Sequence, residues 1–261
     1  MTAPELAYTI RRDVLRMAAG PNGAHVGGSL SCADILAVLF TDVLRRDRDA
    51  FVLSKGHAAP ALYAVLAEQG LLEHDELAGY ASPGSRLFGH PHNHVPGIEF
   101  NTGSLGHGLG LGTGLALSAQ LTGCDSRTYV LLGDGELQEG SVWEAFMFAA
   151  HRRLTGLTAV IDRNGLQITG PTDGCVSLEP LTDRLAAFGW QVRPVDGHDH
   201  AALRAALAPP DGDRPVAVVA ATTKGKGVGF LEGKTASHYA TFDNRLLSRA
   251  LAQLDAGRGA T

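Results

Sequence analysis

Tyr129-Val-Leu-Leu-Gly-Asp-Gly-Glu-Leu-Gln-Glu-Gly140, then a helical stretch, then Leu157-Thr-Ala-Val-Ile-Asp-Arg-Asn164: the reading of these two runs sets the architecture. Each opens with an unbroken β-favouring segment, the pattern of a strand covered on both faces. Val216-Ala-Val-Val-Ala220 repeats it, and Trp190-Gln-Val-Arg-Pro-Val195 gives a more polar version. Helical stretches separate all four. Strands alternating with helices predict an α/β chain built on a parallel sheet flanked by helices.

Upstream of residue 127 the pattern changes. The first hundred residues predict a mainly helical region, with helices over 6–18, 33–44 and 58–69. The second is expected to be entered through Ser31, with Asp34 three residues on as a capping partner. No repeat, linker or low-complexity stretch interrupts the chain, so residues 1–261 are expected to form one domain, frayed only over 257–261.

Residues 102–121 are apolar and long enough to suggest a membrane span, with Gly106 and Gly110 in a G-x-x-x-G relation. Glycines at 103, 106, 108, 110, 112 and 114, with Ser104, His107, Thr113, Ser118 and Gln120, make the segment too polar for lipid. A buried helix that lets another backbone or a ligand approach is expected instead.

Bulk properties exclude several function classes. With 261 residues and 44% hydrophobic content the chain can bury a core. The net charge of -5 and scattered basic residues, apart from Arg45, Arg46 and Arg48, leave no footprint for nucleic acid. Residues 1–14 carry Glu5, Arg11, Arg12 and Asp13, so no secretory signal is read and a cytoplasmic location is expected. Cys32, Cys124 and Cys175 are far apart and form no C-x-x-C pair.

In an open parallel sheet, ligands gather beyond the carboxyl ends of the strands. Those ends read Gly133-Asp134-Gly135, Asp162-Arg163-Asn164, Asp196-Gly197-His198-Asp199 and Thr222-Thr223-Lys224-Gly225-Lys226. An Asp and an Asn at the tips of successive strands can place oxygens on one hard cation such as Mg²⁺. Gly133 and Gly135 would let the backbone bend around Asp134.

At this point the chain resembles the thiamine-diphosphate enzymes, and transketolase among them. Their shared pattern runs from Gly-Asp-Gly to an Asn about thirty residues later, and Asp134 and Asn164 match it. Six further matches follow the order found in transketolases: Gly23-Ala-His-Val-Gly-Gly-Ser29, Leu53-Ser-Lys-Gly-His-Ala58, Gly89-His-Pro91, Thr102-Gly-Ser-Leu-Gly106, Leu137-Gln-Glu-Gly140 and Thr223-Lys-Gly-Lys-Gly227. Departures are small: Arg163 precedes the metal-binding Asn, His107 stands where Gln is commoner, and Val26 follows His25 where Pro is usual.

The resemblance implies a thiamine-diphosphate-binding fold of transketolase type. It implies that Asp134, Asn164 and the carbonyl of Leu166 hold Mg²⁺ or Ca²⁺, with His57, Gly133, Gly135 and Glu136 beside the diphosphate. Gly103, Leu105 and Ile168 would line the cofactor, and His25, His90 and His238 would face a sugar substrate. Glu139 matches a position at the subunit contact that touches the activating glutamate. That glutamate belongs to a second domain in full-length relatives, and no later stretch here supplies it. A complementary subunit carrying the pyrimidine-binding domain is therefore expected, two of each chain, with ketol transfer as the shared activity and no nucleic-acid or membrane partner.

Three other readings compete. Gly233-Lys234-Thr235 ends like a phosphate loop, but Val228 stands where its first glycine is needed. The diphosphate-binding subunit of a 2-oxoacid dehydrogenase shares the metal motif, yet His25, His57, His90 and the Lys-Gly-Lys-Gly segment favour transketolase. A non-catalytic partner subunit is the third, opposed by the intact metal positions.

Overall fold

The structure is a computed structural model that describes residues 1–258. Helices α1 (Ala3–Ala18), α2 (Gly27–Ser31) and α3 (Ala33–Val38) precede strand β1 (Ala50–Leu53), and α4 (Ala59–Glu68) follows it. Next come α5 (Gly108–Thr122), β2 (Thr128–Gly133), α6 (Gly140–His151) and β3 (Leu157–Arg163). A small hairpin, β4 (Leu166–Gln167) and β5 (Gly170–Pro171), leads to α7 (Thr172–Cys175) and α8 (Leu181–Ala187). The chain ends with β6 (Gln191–Asp196), α9 (His200–Ala206), β7 (Val216–Ala221) and α10 (Asn244–Arg258).

Five strands form one sheet in the order β1-β2-β3-β7-β6, with every neighbouring pair parallel. All four strands read from the sequence are present. β1 was missed because it is only four residues long and half-buried at its start, too short to show a period. β6 lies at an edge and is half-exposed, which explains its polar pattern.

Alternate side chains of β2 serve two cores. Tyr129 and Leu131 pack with the helices of the amino-terminal region, α9 and α10, whereas Val130 and Leu132 pack with α5, α6 and α8. The helical region and the sheet thus share one hydrophobic layer.

Two expectations change. The helix over 33–44 breaks into α3 and a π turn at Leu39–Val43, and Ser31 sits inside the separate short helix α2. Its hydroxyl does not cap; it donates to Asp162 at 2.6 Å, while Asp34 binds charged partners from elsewhere. At the carboxyl terminus, Gly257 and Arg258 belong to α10 instead of fraying, and residues 259–261 lie outside the described residues.

The glycine-rich helix is buried on one face only. A Cβ at Gly108 would meet Ser54 at 2.3 Å and one at Gly112 would meet Val130 Cγ2 at 2.3 Å, whereas Gly110 and Gly114 face open space. The sheet therefore requires glycine at 108 and 112. Among the described residues no helix is long and apolar enough to cross a membrane. Gly112→Ala should lower stability by about 1–3 kcal/mol in urea unfolding. Gly114→Ala should leave it unchanged or raise it by up to about 1 kcal/mol; equal midpoints for Gly112→Ala and the parent would refute this packing.

Candidate active site

The tips of β2 and β3 are held in register, Gly133 beside Asp162. Asp134, 4% exposed, accepts from the amide of Gly135 at 2.8 Å and, through its other oxygen, from the amide of Gly165 at 2.6 Å. Asn164 Oδ1 accepts from the Leu166 amide, two residues on, at 3.1 Å. The two side-chain oxygens therefore border the same turn. Burial, and then the nearby Asp162 carboxylate, push the Asp134 pKa up. A divalent cation beside it would reverse that shift.

Two lysines and an aspartate that sequence reading passed over complete this corner. Asp162 is fully buried and accepts from Lys55 Nζ, Ser31, Thr222 and, at 3.4 Å, Asn164 Nδ2. Burial alone would raise its pKa, but the Lys55 ammonium prevails and the net shift is downward. Lys224 Nζ donates to the Leu166 carbonyl at 3.0 Å and lies 3.2 Å from His238 Nδ1. Burial lowers its pKa to about 8. The signal for both lysines lay in Ser54-Lys-Gly-His57 and Thr223-Lys-Gly-Lys226, quoted as patterns but not read for their ammonium groups.

Four of the expected histidines converge. The ring of His25 lies 5.8 Å from His57, 5.7 Å from His90 and 5.4 Å from His238, and His57 stacks on His238 at 5.4 Å. Tyr239 closes one side at 4.9 Å from His25. Burial, followed by neighbouring positive charge, pulls His25 and His238 down to about 4, and His57 well below its ordinary value. Burial also lowers His90. The cluster is neutral at pH 7. Among the described residues His25 Nδ1 is buried with no hydrogen-bond partner, so it has a donor or acceptor to offer a ligand.

Glycine makes the convergence possible. Gly103 has φ +141°, and a Cβ there would strike the His90 ring at 2.8 Å. Leu105 is half-buried nearby, and Ile168, on the β4–β5 turn, is 67% exposed. Glu136, expected beside the diphosphate, is turned inward. Its carboxylate accepts from Ser54, from Gly106 at 3.0 Å and from Gly133 at 3.1 Å, so it ties three loops together. Glu139 is exposed at the start of α6, packed against Gly106 and outside the histidine group. Arg163 pairs with Glu179 at the surface.

A second hub supports the Lys224 loop. Asp34 accepts from Arg11 Nη1 at 3.1 Å, His198 Nδ1 at 2.7 Å and His200 Nε2 at 2.8 Å. His198 Nε2 accepts from the Thr223 amide at 2.9 Å, which fixes its proton on Nδ1. Burial alone would raise the Asp34 pKa, but Arg11 and the two imidazoles hold it far below the usual carboxylate range.

A carboxylate, an amide oxygen and a turn carbonyl are hard donors suited to Mg²⁺ or Ca²⁺. With a lysine and four neutral imidazoles beside them at the carboxyl end of a parallel sheet, they define a cation- and diphosphate-binding α/β protein. Residues 3–254 match the family described as transketolase, thiamine diphosphate binding domain. The chain is 41% identical to an apulose-4-phosphate transketolase subunit of Phocaeicola vulgatus, covering 88% of this chain and 85% of that one. It is 40% identical to the 6-deoxy-6-sulfo-D-fructose transketolase subunit of a Clostridium species, covering 95% and 94%. The transketolase structure from Leishmania mexicana superposes with a TM-score of 0.88 at 32% identity, over 98% of this chain but 41% of that longer one. The chain belongs to the transketolase family and corresponds to its thiamine-diphosphate-binding part.

Two measurements probe the geometry. Because the histidine pKa values are depressed, the unfolded chain takes up protons below about pH 6.5 that the folded cluster refuses. Stability of the cofactor-free chain should be level above that pH and fall toward pH 4; a His25→Asn, His238→Asn double variant should fall less steeply. An equally steep fall would contradict the depressed values. Asp34→Asn leaves the buried Arg11 without its counterion and should cost about 3–5 kcal/mol at pH 7, so an unchanged urea midpoint would remove the hub.

Proposed function

We propose that this chain is the diphosphate-binding subunit of a two-component transketolase, moving a two-carbon ketol unit from a ketose to an aldehyde acceptor. The observation that carries the reading is the meeting of four neutral imidazoles beside the Asp134–Asn164 turn. Asp134, Asn164 and the Leu166 carbonyl would hold Mg²⁺ or Ca²⁺, with His57, Gly133 and Gly135 facing the diphosphate. Gly103, Leu105 and Ile168 would line the cofactor's rings. Thiamine diphosphate, when bound, supplies the nucleophilic carbon and the electron sink that ketol transfer needs.

The chain's own part is to orient, to exclude water and to handle protons. His25, His90 and His238, neutral at pH 7, would hydrogen-bond sugar hydroxyls and the ketose carbonyl and accept protons as the carbon–carbon bond breaks. The two subunit relatives are named for sugars carrying a phosphate or a sulfo group, which favours an anionic ketose, a sugar phosphate first, as the donor class.

A partner subunit completes the site in this reading. Those relatives are named as subunits, and the chain spans 41% of the Leishmania enzyme. Exposed Leu121, Met147 and Phe148 on α5 and α6, next to the bare Gly110 and Gly114, offer a docking face, and Glu139 opens α6 at its edge. An assembly of two of each chain, in the cytoplasm, with residues 1–261 acting as one diphosphate-binding unit, follows the same reading.

Co-expression with the complementary subunit should give ketol transfer from a ketose phosphate, and the chain alone should give none. Robust transfer by the isolated chain would end the two-component reading. Asp134→Ala should abolish metal-dependent binding of thiamine diphosphate in calorimetry of the assembled enzyme; unchanged affinity would end the metal assignment.

A further inference from the structure

Three side chains meet where α1 crosses the far end of α4. Asp13 lies on the buried face of α1, Glu68 is the last residue of α4, and His74 opens the short helical turn that follows. One donor atom from each lies within 4.8 Å of the other two, and Glu68 Oε1 is 2.8 Å from His74 Nε2. This is a different place from the histidine cluster: α4 starts just after His57 and its 10 residues carry the chain ~15 Å away along the helix axis.

The Asp13 carboxylate is the informative member. Its side chain is 4% exposed, and Oδ1 accepts from Arg12 at 3.1 Å and Arg16 at 3.3 Å. Oδ2 is sealed from solvent and has no donor among the described residues. Buried polar atoms are rarely left so, because each costs about 1–3 kcal/mol. Glu73, Asp75 and Glu76 surround His74 in sequence, and of these Glu76 is bound by Arg86.

We propose that Asp13, Glu68 and His74 form a second metal site, taking a borderline divalent ion of the zinc class. One imidazole nitrogen and two carboxylate oxygens suit such an ion better than Mg²⁺ or Ca²⁺, which prefer oxygen alone. Bonds of about 2.1 Å in a tetrahedron set donors roughly 3.4 Å apart. The 49% exposed His74 side chain has the freedom to close that gap, and water would complete the coordination. The ion would staple α1 to the turn after α4.

The test titrates the chelator-stripped chain with Zn²⁺ alone, in calorimetry and thermal unfolding. The Asp134→Asn variant, altered at the cofactor's metal position, should keep a Zn²⁺ site and an upward Tm shift of about 5 °C at saturation. His74→Ala and Asp13→Asn should each weaken that site by at least about tenfold and lose the shift. Undiminished Zn²⁺ binding by His74→Ala, an exposed change that leaves the core intact, would overturn the proposal whether or not Asp13→Asn folds.

Discussion

The buried pair of Lys55 and Asp162 is the constraint on which the site rests. Asp162 draws Lys55 from the end of β1, Ser31 from α2, Thr222 from the end of β7 and Asn164 from its own turn. Lys55 also donates to the Gly28 carbonyl at 2.8 Å. Three segments distant in sequence, with the local turn, are thus fixed to one carboxylate. Taking both charges out of water costs several kcal/mol per ion, and such a pair is tolerable only when its hydrogen-bonding capacity is filled, as it is here. The pair acts as a register device: it sets Gly28 against His57 and Asn164 against Asp134, and a slip of β1 against β3 would leave a bare charge in the core.

Electrostatics follow from that frame. With Lys55 paired to Asp162 and the imidazoles kept uncharged by burial, the positive charge left beside them is Lys224, whose ammonium rests on the Leu166 carbonyl. A cation claiming that carbonyl and the ammonium are competitors for one oxygen. An anion at the histidines would draw Lys224 the other way, so cation and anion favour the same displacement. The Asp34 hub bears on this step because His198 holds the Thr223 amide one residue before the lysine.

Much of this was legible in the sequence, for identifiable reasons. Continuous apolar runs exposed the central strands, and glycine-flanked polar residues at their tips marked the site. The four histidines were singled out because each stands in a motif whose order matches transketolase, and the fold brings their rings together. Lys55, Asp162 and Lys224 were not recovered, because a buried charge is recognised by its partner and the partners lie 107 and 58 residues away. Ser31 and Asp34 show the same limit: local spacing suggested a helix cap, but long-range partners at Asp162 and Arg11 won. Glu136 was placed beside the cofactor by its motif, and within this chain its carboxylate accepts from three donors in neighbouring loops.

The glycine helix links the fold to the case for assembly. Gly108 and Gly112 are demanded by Ser54 and Val130, whereas Gly110 and Gly114, on the opposite face, are demanded by nothing within this chain. Glycine in a helix interior costs about 1 kcal/mol relative to alanine, a cost that packing within this chain does not explain at these two positions and that the close approach of the proposed partner would. The same surface leaves Leu121 70% and Met147 59% exposed, and Ile168 at the candidate site is 67% exposed. Apolar residues that coat a cofactor are dry only when something covers them. In the proposed reading the histidines would handle protons and Ile168 would line the cofactor, so the converged imidazoles and the exposed Ile168 would form one wall of a site that the complementary subunit closes.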